Sequence, residues 1–306
     1  MPPQQSLSSA AWISLLLLSL IWGASFLAIR VALDELPVAW VVVHRVGWAA
    51  MLLWVVVWIA RETVPRCPRL WASFLVMGLL NNVVPFSLIA WGQLHIETGL
   101  TSILNASAAV FAVPVAALCF ADERITPRRA VGTALGFLGV ALAVGGSALA
   151  TIDLRSLGQL AVLAGALSYA FAGVWARAKL STVRPLIAAA GMLTGSFLVM
   201  LPGALFLEGP PALNLSIRTW MAISYFAVLG TAVAYLLYYR ILALAGAANL
   251  LLSTLLIPPI AIVLGWMVLD EDLAPGALLG FLILASGLLV LDGRILAPRA
   301  KAEHRP

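Results

Sequence analysis

Charge is what this chain most lacks. Asp, Glu, Lys and Arg make up 10% of its 306 residues while 63% are hydrophobic. Soluble domains carry roughly 25% charged residues, so a domain bathed in water on every side is excluded. Cysteine is nearly missing too. Cys67 and Cys119 stand alone, neither in a Cys-x-x-Cys pair, which argues against a redox motif or a zinc site. Three histidines are present, with no His-Glu-x-x-His, no Gly-x-Ser-x-Gly and no paired aspartates inside an apolar run. Nothing here is built for catalysis, and no metal or cofactor is expected. Every acid falls at or near the end of an apolar run, Glu97 coming nearest to an exception. A carboxylate proton relay at mid-membrane is therefore not evident. His44, Glu97, an exchanged solute or no coupling at all remain open.

Long apolar runs are what the chain has in place of charge. A helix crosses a ~30 Å hydrocarbon core in about 20 residues. Runs of that length fall at 12–30, 38–60, 70–94, 98–120, 128–149, 157–177, 185–207, 219–241, 246–269 and 275–292. Turn and cap formers separate them, as in Asp34-Glu35-Leu36-Pro37. The first run has no basic residue before it, so a cleavable signal peptide is not expected.

The net charge of +5 could suggest a nucleic-acid partner, but the basic residues sit in short loops between apolar runs. Assigned alternately to two sides, Arg61, Arg66, Arg69, Arg124, Arg128, Arg129, Arg177, Lys179, Arg184, Arg240, Arg294, Arg299, Lys301 and Arg305 share one side with both termini, whereas Arg30, Arg155 and Arg218 fall on the other. The positive-inside bias predicts cytoplasmic termini, including a basic tail over 293–306. Both cysteines then lie near the reducing side, where a disulfide is not expected.

The chain also resembles itself at an offset of 148. Asp122-Glu123, Pro127 and Gly132 recur as Asp270-Glu271, Pro275 and Gly280; Pro37 recurs as Pro185 and Gly139 as Gly287. Acids and prolines are scarce here, so a repeated Asp-Glu-x-x-x-Pro-x-x-x-x-Gly carries more weight than matched leucines. Five runs per copy, over 12–149 and 157–292, force the second copy to enter the membrane from the opposite side. The first motif continues as Arg128-Arg129, its partner as Gly276-Ala277, as the charge bias requires. The fold expected is an all-α membrane protein, ten transmembrane helices in two inverted five-helix repeats. Inverted repeats are a recurring transporter design, with the site near the midplane between them.

Ile21-Trp22-Gly23-Ala24-Ser25-Phe26, His44-Arg45 and the two Asp-Glu-x-x-x-Pro turns resemble the drug/metabolite transporter superfamily, specifically EamA-type carriers, over about residues 12–292. The resemblance implies ten helices in two EamA repeats, a bacterial inner-membrane location and export of small metabolites such as amino acids or drugs. Its motifs point to a fold rather than to a substrate.

Polar residues inside the runs are the candidates for a substrate site. Arg45, some 10 Å below the outer surface at 1.5 Å per residue, is costly in a bilayer. It could meet a substrate carboxylate or a helix end, or snorkel outward and brace packing. His44, about 100° around the helix, reads as structural. Asn81 and Asn82 could bond solute or join helices. Asn105 aligns by the offset with Ser253. Thr231, Tyr235 and Tyr238 form one stripe at i, i+4 and i+7, while Tyr239 fits an interfacial belt. Trp91 could line a cavity or sit at the interface. Trp54, Trp58, Trp71, Trp220 and Trp266 read as interfacial or lipid-facing. Pro114 and Pro258-Pro259 remove backbone hydrogen bonds inside runs, either bending the helices for function or merely shaping the bundle. Gly132-x-x-x-Gly136 and Gly276-x-x-x-Gly280 suit close helix packing.

The function expected is a secondary transporter of small amphipathic solutes such as amino acids, working by alternating access as a monomer or homodimer, with the lipid bilayer as its only other partner. A membrane-embedded enzyme or a channel is the alternative. The first lacks a catalytic motif, and the inverted repeat argues against the second.

Overall fold

The computed structural model describes residues 9–145, 153–238, 240–241, 244 and 253–292. These form helices without a strand among the described residues. We number them α1 (Ser9–Ala32), α2 (Val38–Ile59), α3 (Pro68–Gly92), α4 (Thr98–Cys119), α5 (Pro127–Val144), α6 (Leu154–Lys179), α7 (Pro185–Glu208), α8 (Ile217–Tyr238), α9 (Ser253–Leu269) and α10 (Pro275–Asp292). Eight are long and apolar enough to cross a membrane. The exceptions are α5, which opens on Pro127-Arg128-Arg129, and α9, whose described part is shorter than a span. The start expected for the ninth run, Tyr239 and the basic tail lie outside the described residues.

Helix boundaries follow local chemistry. Proline opens α3, α5, α7 and α10, where its missing N–H costs nothing and its fixed φ already suits a helix. Asp153 caps α6 by accepting from the Ser156 N–H at 2.8 Å. This bond holds the exposed Asp153 carboxyl below its usual range.

The helix contacts obey an exchange rule. α5 packs on α10, α2 on α7 and α4 on α9. α1 packs on α8 and α9, as α6 packs on α3 and α4; α2 packs on α8, as α7 packs on α3. Replacing every helix by the one five places away leaves this pattern unchanged. The α5–α10 seam shows the rule at atomic scale. A Cβ on Gly132 would meet the Gly287 carbonyl at 2.9 Å, and one on Gly280 would meet the Gly139 carbonyl at 2.6 Å. The second contact is the first with its partners exchanged at the offset of 148. Gly132 lies against Gly287 and the later Gly139 against the earlier Gly280, so the two helices run antiparallel.

Two core clusters flank the middle of the bundle. One joins α1, α2, α3, α7 and α8 around Val46, Leu53, Phe74, Leu193 and Phe226. The other joins α3, α4, α5, α6, α9 and α10 around Leu100, Ile103, Leu104, Val162 and Leu284. Trp58 and Trp266 are exposed as the sequence suggests, but Trp54 bridges to α7, donating to Thr194 Oγ1 at 2.8 Å and stacking on Trp71.

Ion pairs sit at the helix ends. On one face Arg155 donates to Glu97 at 2.8 and 2.9 Å, and Glu271 accepts from the Thr98 N–H and hydroxyl at 2.8 and 2.9 Å. On the opposite face Arg177 joins Asp122 at 2.5 Å and Glu123 at 3.0 Å, Arg129 joins Glu123 at 2.7 Å, and Arg184 joins Glu62. The Arg177 hydrogen bond holds the exposed Asp122 carboxyl below its usual range. That tie persists above the ordinary carboxylate pKa and is lost as pH falls through the lowered value.

Candidate functional site

Helices α3 and α8, related by the exchange rule, both widen into π-helical turns, at Leu79–Val83 and Tyr225–Val233. The offset of 148 places the first within the second. Pro85 supplies no N–H to the carbonyl four residues back, which accounts for the wide turn in α3. A π turn leaves backbone carbonyls misaligned with their usual donors, and side chains supply replacements here. Ser168 Oγ donates to Leu80 O at 2.7 Å, Trp22 Nε1 to Gly230 O at 3.2 Å and Thr231 Oγ1 to Phe226 O at 2.8 Å. Thus α6 pins the turn of α3 and α1 pins the turn of α8, each from the other repeat. In α4 the backbone is interrupted at Ser107, whose hydroxyl donates to Leu104 O at 2.6 Å. Such interruptions are tolerated at membrane depth where the backbone is buried in protein or borders a cavity, and single wide turns concentrate at functional sites.

All three helices border a cavity of about 590 Å³. Its wall also draws on α1, α2, α6, α7 and α9 but takes nothing from α5 or α10. Trp22, Phe26, Phe86, Tyr169, Tyr235 and Tyr238 give it an aromatic lining, and Ile29, Met77, Ile89, Met192 and Ile257 add apolar surface. Arg177, Ser181, Val183 and Pro185 bring it to the α6–α7 turn, on the face that holds the Asp122–Glu123 cluster. Glu97 at the other face is not part of the wall.

Arg45 lines this cavity seven residues into α2. Its Nε donates to Thr231 Oγ1 at 3.1 Å, and its guanidinium lies 3.8 Å from the centre of the Phe86 ring. No ion pair involves it among the described residues. Asn81 lines the cavity and donates to the Tyr235 hydroxyl at 3.0 Å. The Asn105 Oδ1 is buried and finds no donor among the described residues, although the residue lines the same space. Thr231, Tyr235 and Tyr238 complete this group, Tyr238 tilted against Trp22 with ring centres 6.2 Å apart.

Three of the expected site residues lie elsewhere. Asn82 is fully buried and turned to α7, donating to Ser196 Oγ at 2.9 Å. It reaches the site through Asn81 and Tyr235, which donate to its Oδ1 at 3.3 and 3.4 Å. Trp91 packs edge-on to His95 with ring centres 4.6 Å apart. Ser253 is buried behind its neighbour Thr254, which lines the cavity instead. Trp22, Ser102, Tyr169 and Thr254 are lining residues that the sequence reading did not single out. Tyrosine occurs only five times in the chain, so the isolated Tyr169 in an Ala/Gly-rich run was a usable signal.

The geometry provides a partly enclosed, aromatic space with Arg45 inside, Arg177 at its mouth and several neutral hydrogen-bonding groups, suited to holding a small amphipathic solute. The model of the EamA-like transporter family matches twice, over residues 9–145 and 156–291. The chain is 31% identical over 304 residues to the Streptantibioticus cattleyicolor protein named "Probable terminal-alkyne amino-acid exporter", covering 97% of each. It is 24% identical over 284 residues to the Escherichia coli "Probable amino-acid metabolite efflux pump", covering 90% of this chain and 92% of that one. A solved crystal structure superposes with a TM-score of 0.67 at 16% identity, covering 94% of this chain and 99% of that one, a likeness of fold alone. With the motif matched in both halves of an all-helical bundle, the chain belongs to the EamA-like transporter family and is a multi-pass membrane transporter rather than an enzyme.

Proposed function

We propose that the protein exports small amphipathic solutes bearing a carboxylate, amino acids and their derivatives among them, across the bacterial inner membrane by alternating access. The observation that carries this reading is Arg45, a cation facing an aromatic cavity without a carboxylate beside it among the described residues. A guanidinium offers a carboxylate two parallel, charge-assisted hydrogen bonds. The amides of Asn81 and Asn105 and the hydroxyls of Thr231, Tyr235 and Tyr238 would orient the rest of the solute, while the rings of Trp22, Phe86 and Tyr169 cover its apolar part. The two relatives named for amino-acid export support this substrate class.

The reading includes ten spans in two inverted repeats, 12–149 and 157–292, with the basic tail 293–306 and both termini in the cytoplasm. Support comes from the exchange rule, because antiparallel equivalent helices such as α5 and α10 can be interchanged only about an axis perpendicular to them. On this topology the cavity reaches the cytoplasmic face, as an exporter needs for loading. Reporters active only outside the cytoplasm should be silent when fused to either terminus; a strong signal from either would overturn the topology.

The site is tested by initial efflux rates at matched membrane abundance. Asn105→Ala and Tyr235→Ala should each slow efflux about three- to tenfold, the worth of one hydrogen bond to the solute. Trp58→Leu, at a side chain 79% exposed, should match the wild type. Equal rates in all four proteins would place the site elsewhere.

A further inference from the structure

The cavity wall is unbalanced in charge. Arg45 and Arg177 line it, and among the described residues no Asp or Glu does. Arg177 at the mouth is already neutralised by Asp122 and Glu123, at 2.5 and 3.0 Å. Among the described residues Arg45 meets a hydroxyl and a ring face and no carboxylate. The chain brings it no acid from neighbouring segments, because residues 36–61 and 209–269 contain neither Asp nor Glu. The empty site therefore carries one uncompensated positive charge in surroundings of low dielectric, where charge interactions far exceed their strength in water.

Three kinds of amphipathic solute would fare differently there. A monoanion neutralises Arg45 and brings no new charge. A zwitterion does the same but adds an ammonium group that finds hydroxyls, rings and an amide oxygen, never a carboxylate. A cation is repelled outright. An acylated amine suits the wall better than a free one. Its neutral N–H suits the same hydroxyls and ring faces, and it carries no charge needing a counter-ion.

The same imbalance bears on how export is driven. The loaded site is neutral and the empty site is cationic, so a full cycle moves one negative charge outward. Cells are negative inside, which favours that movement. Among the described residues no carboxylate lines the cavity to carry a proton in exchange. Resting on the exporter reading above, we infer that the cavity selects small carboxylates of net negative charge, such as N-acylated amino acids, over zwitterionic amino acids, and that the membrane potential alone drives their export.

The full chain in liposomes tests this. Vesicles are loaded with N-acetylphenylalanine, phenylalanine or phenylalanine amide, and a tenfold outward potassium gradient with valinomycin makes the interior negative. Relative to protein-free vesicles, N-acetylphenylalanine should leave about tenfold faster than phenylalanine, and the amide should show no protein-dependent flux. Reversing the potassium gradient should slow the anion, and a proton gradient should leave its rate unchanged. Arg45→Gln should lose the preference, whereas Arg45→Lys, which keeps the charge, should retain it; anion flux that remains in either variant should still follow the potential, because the solute carries the charge. Phenylalanine leaving as fast as its acetylated form, or anion flux indifferent to potential, would overturn the inference while leaving the exporter reading intact. Protein-dependent flux of none of the three would overturn both.

Discussion

Replacing Arg45 by alanine should reduce carboxylate efflux by about a hundredfold at unchanged membrane abundance. The guanidinium would make two charge-assisted hydrogen bonds to the solute. Losing them costs about 3 kcal/mol of binding, a factor on the order of a hundred. Arg45 is also half-buried, with its guanidinium over Phe86 and its Nε on Thr231, so the truncation leaves space that water can fill. Thr231→Val separates anchoring from charge. It removes the hydroxyl that accepts from Nε at 3.1 Å and keeps the cation, so its expected effect is several-fold rather than a hundredfold. Efflux by Arg45→Ala within twofold of the wild type would show that the cation serves packing instead.

Gly139→Leu should cost the protein its fold before it costs any transport step. A Cβ at Gly139 would sit 2.4 Å from the Leu284 nitrogen and 2.7 Å from the Gly280 carbonyl oxygen. Both obstacles are backbone, which cannot swing away, so α5 and α10 must separate. Overpacking of this kind costs roughly 3 kcal/mol, which lowers Tm by about 5 °C in a protein of this size. Gly280→Leu should do the same, because it meets Ala143 N at 2.4 Å and Gly139 O at 2.6 Å. At Gly173 nothing lies within 4 Å of an added Cβ, so Gly173→Ala should leave the melting temperature within about 1 °C of the wild type. Thermal unfolding in detergent, followed by helical circular dichroism, decides the matter. An unshifted Gly139→Leu would mean that the seam is looser than its geometry shows.

These contrasts show where sequence reasoning reached and where it stopped. Run length and the repeated Asp-Glu-x-x-x-Pro turn were enough to anticipate an all-helical bundle with related halves, because both depend only on composition and spacing. Polar residues inside apolar runs stood out because they are expensive there, which brought Arg45, Asn81, Asn105 and Tyr235 into view. Facing was harder. Neighbours on a helix point about 100° apart, so the pair Asn81-Asn82 divides between the cavity and α7, and Ser253 yields its place to Thr254. Trp22 and Tyr169 were passed over because an aromatic ring in an apolar run looks the same whether it meets lipid, protein or solute. The wide turns of α3 and α8 leave no mark in hydrophobic patterning. Only Pro85 hinted at one, and the turn in α8 contains no proline.

The glycine seam between α5 and α10 has a consequence for biosynthesis. Its two faces are separated by 148 positions, so α5 leaves the ribosome long before its partner. At about 5–20 residues per second the wait is roughly 7–30 s. Throughout that interval Gly132 and Gly139 face lipid, or another nascent chain, across a groove that only backbone-close packing can fill. The last helix to be made is therefore the one that closes the oldest exposed surface. A ribosome that stalls before α10 releases a bundle whose cavity-lining helices are all present but whose α5 seam remains open.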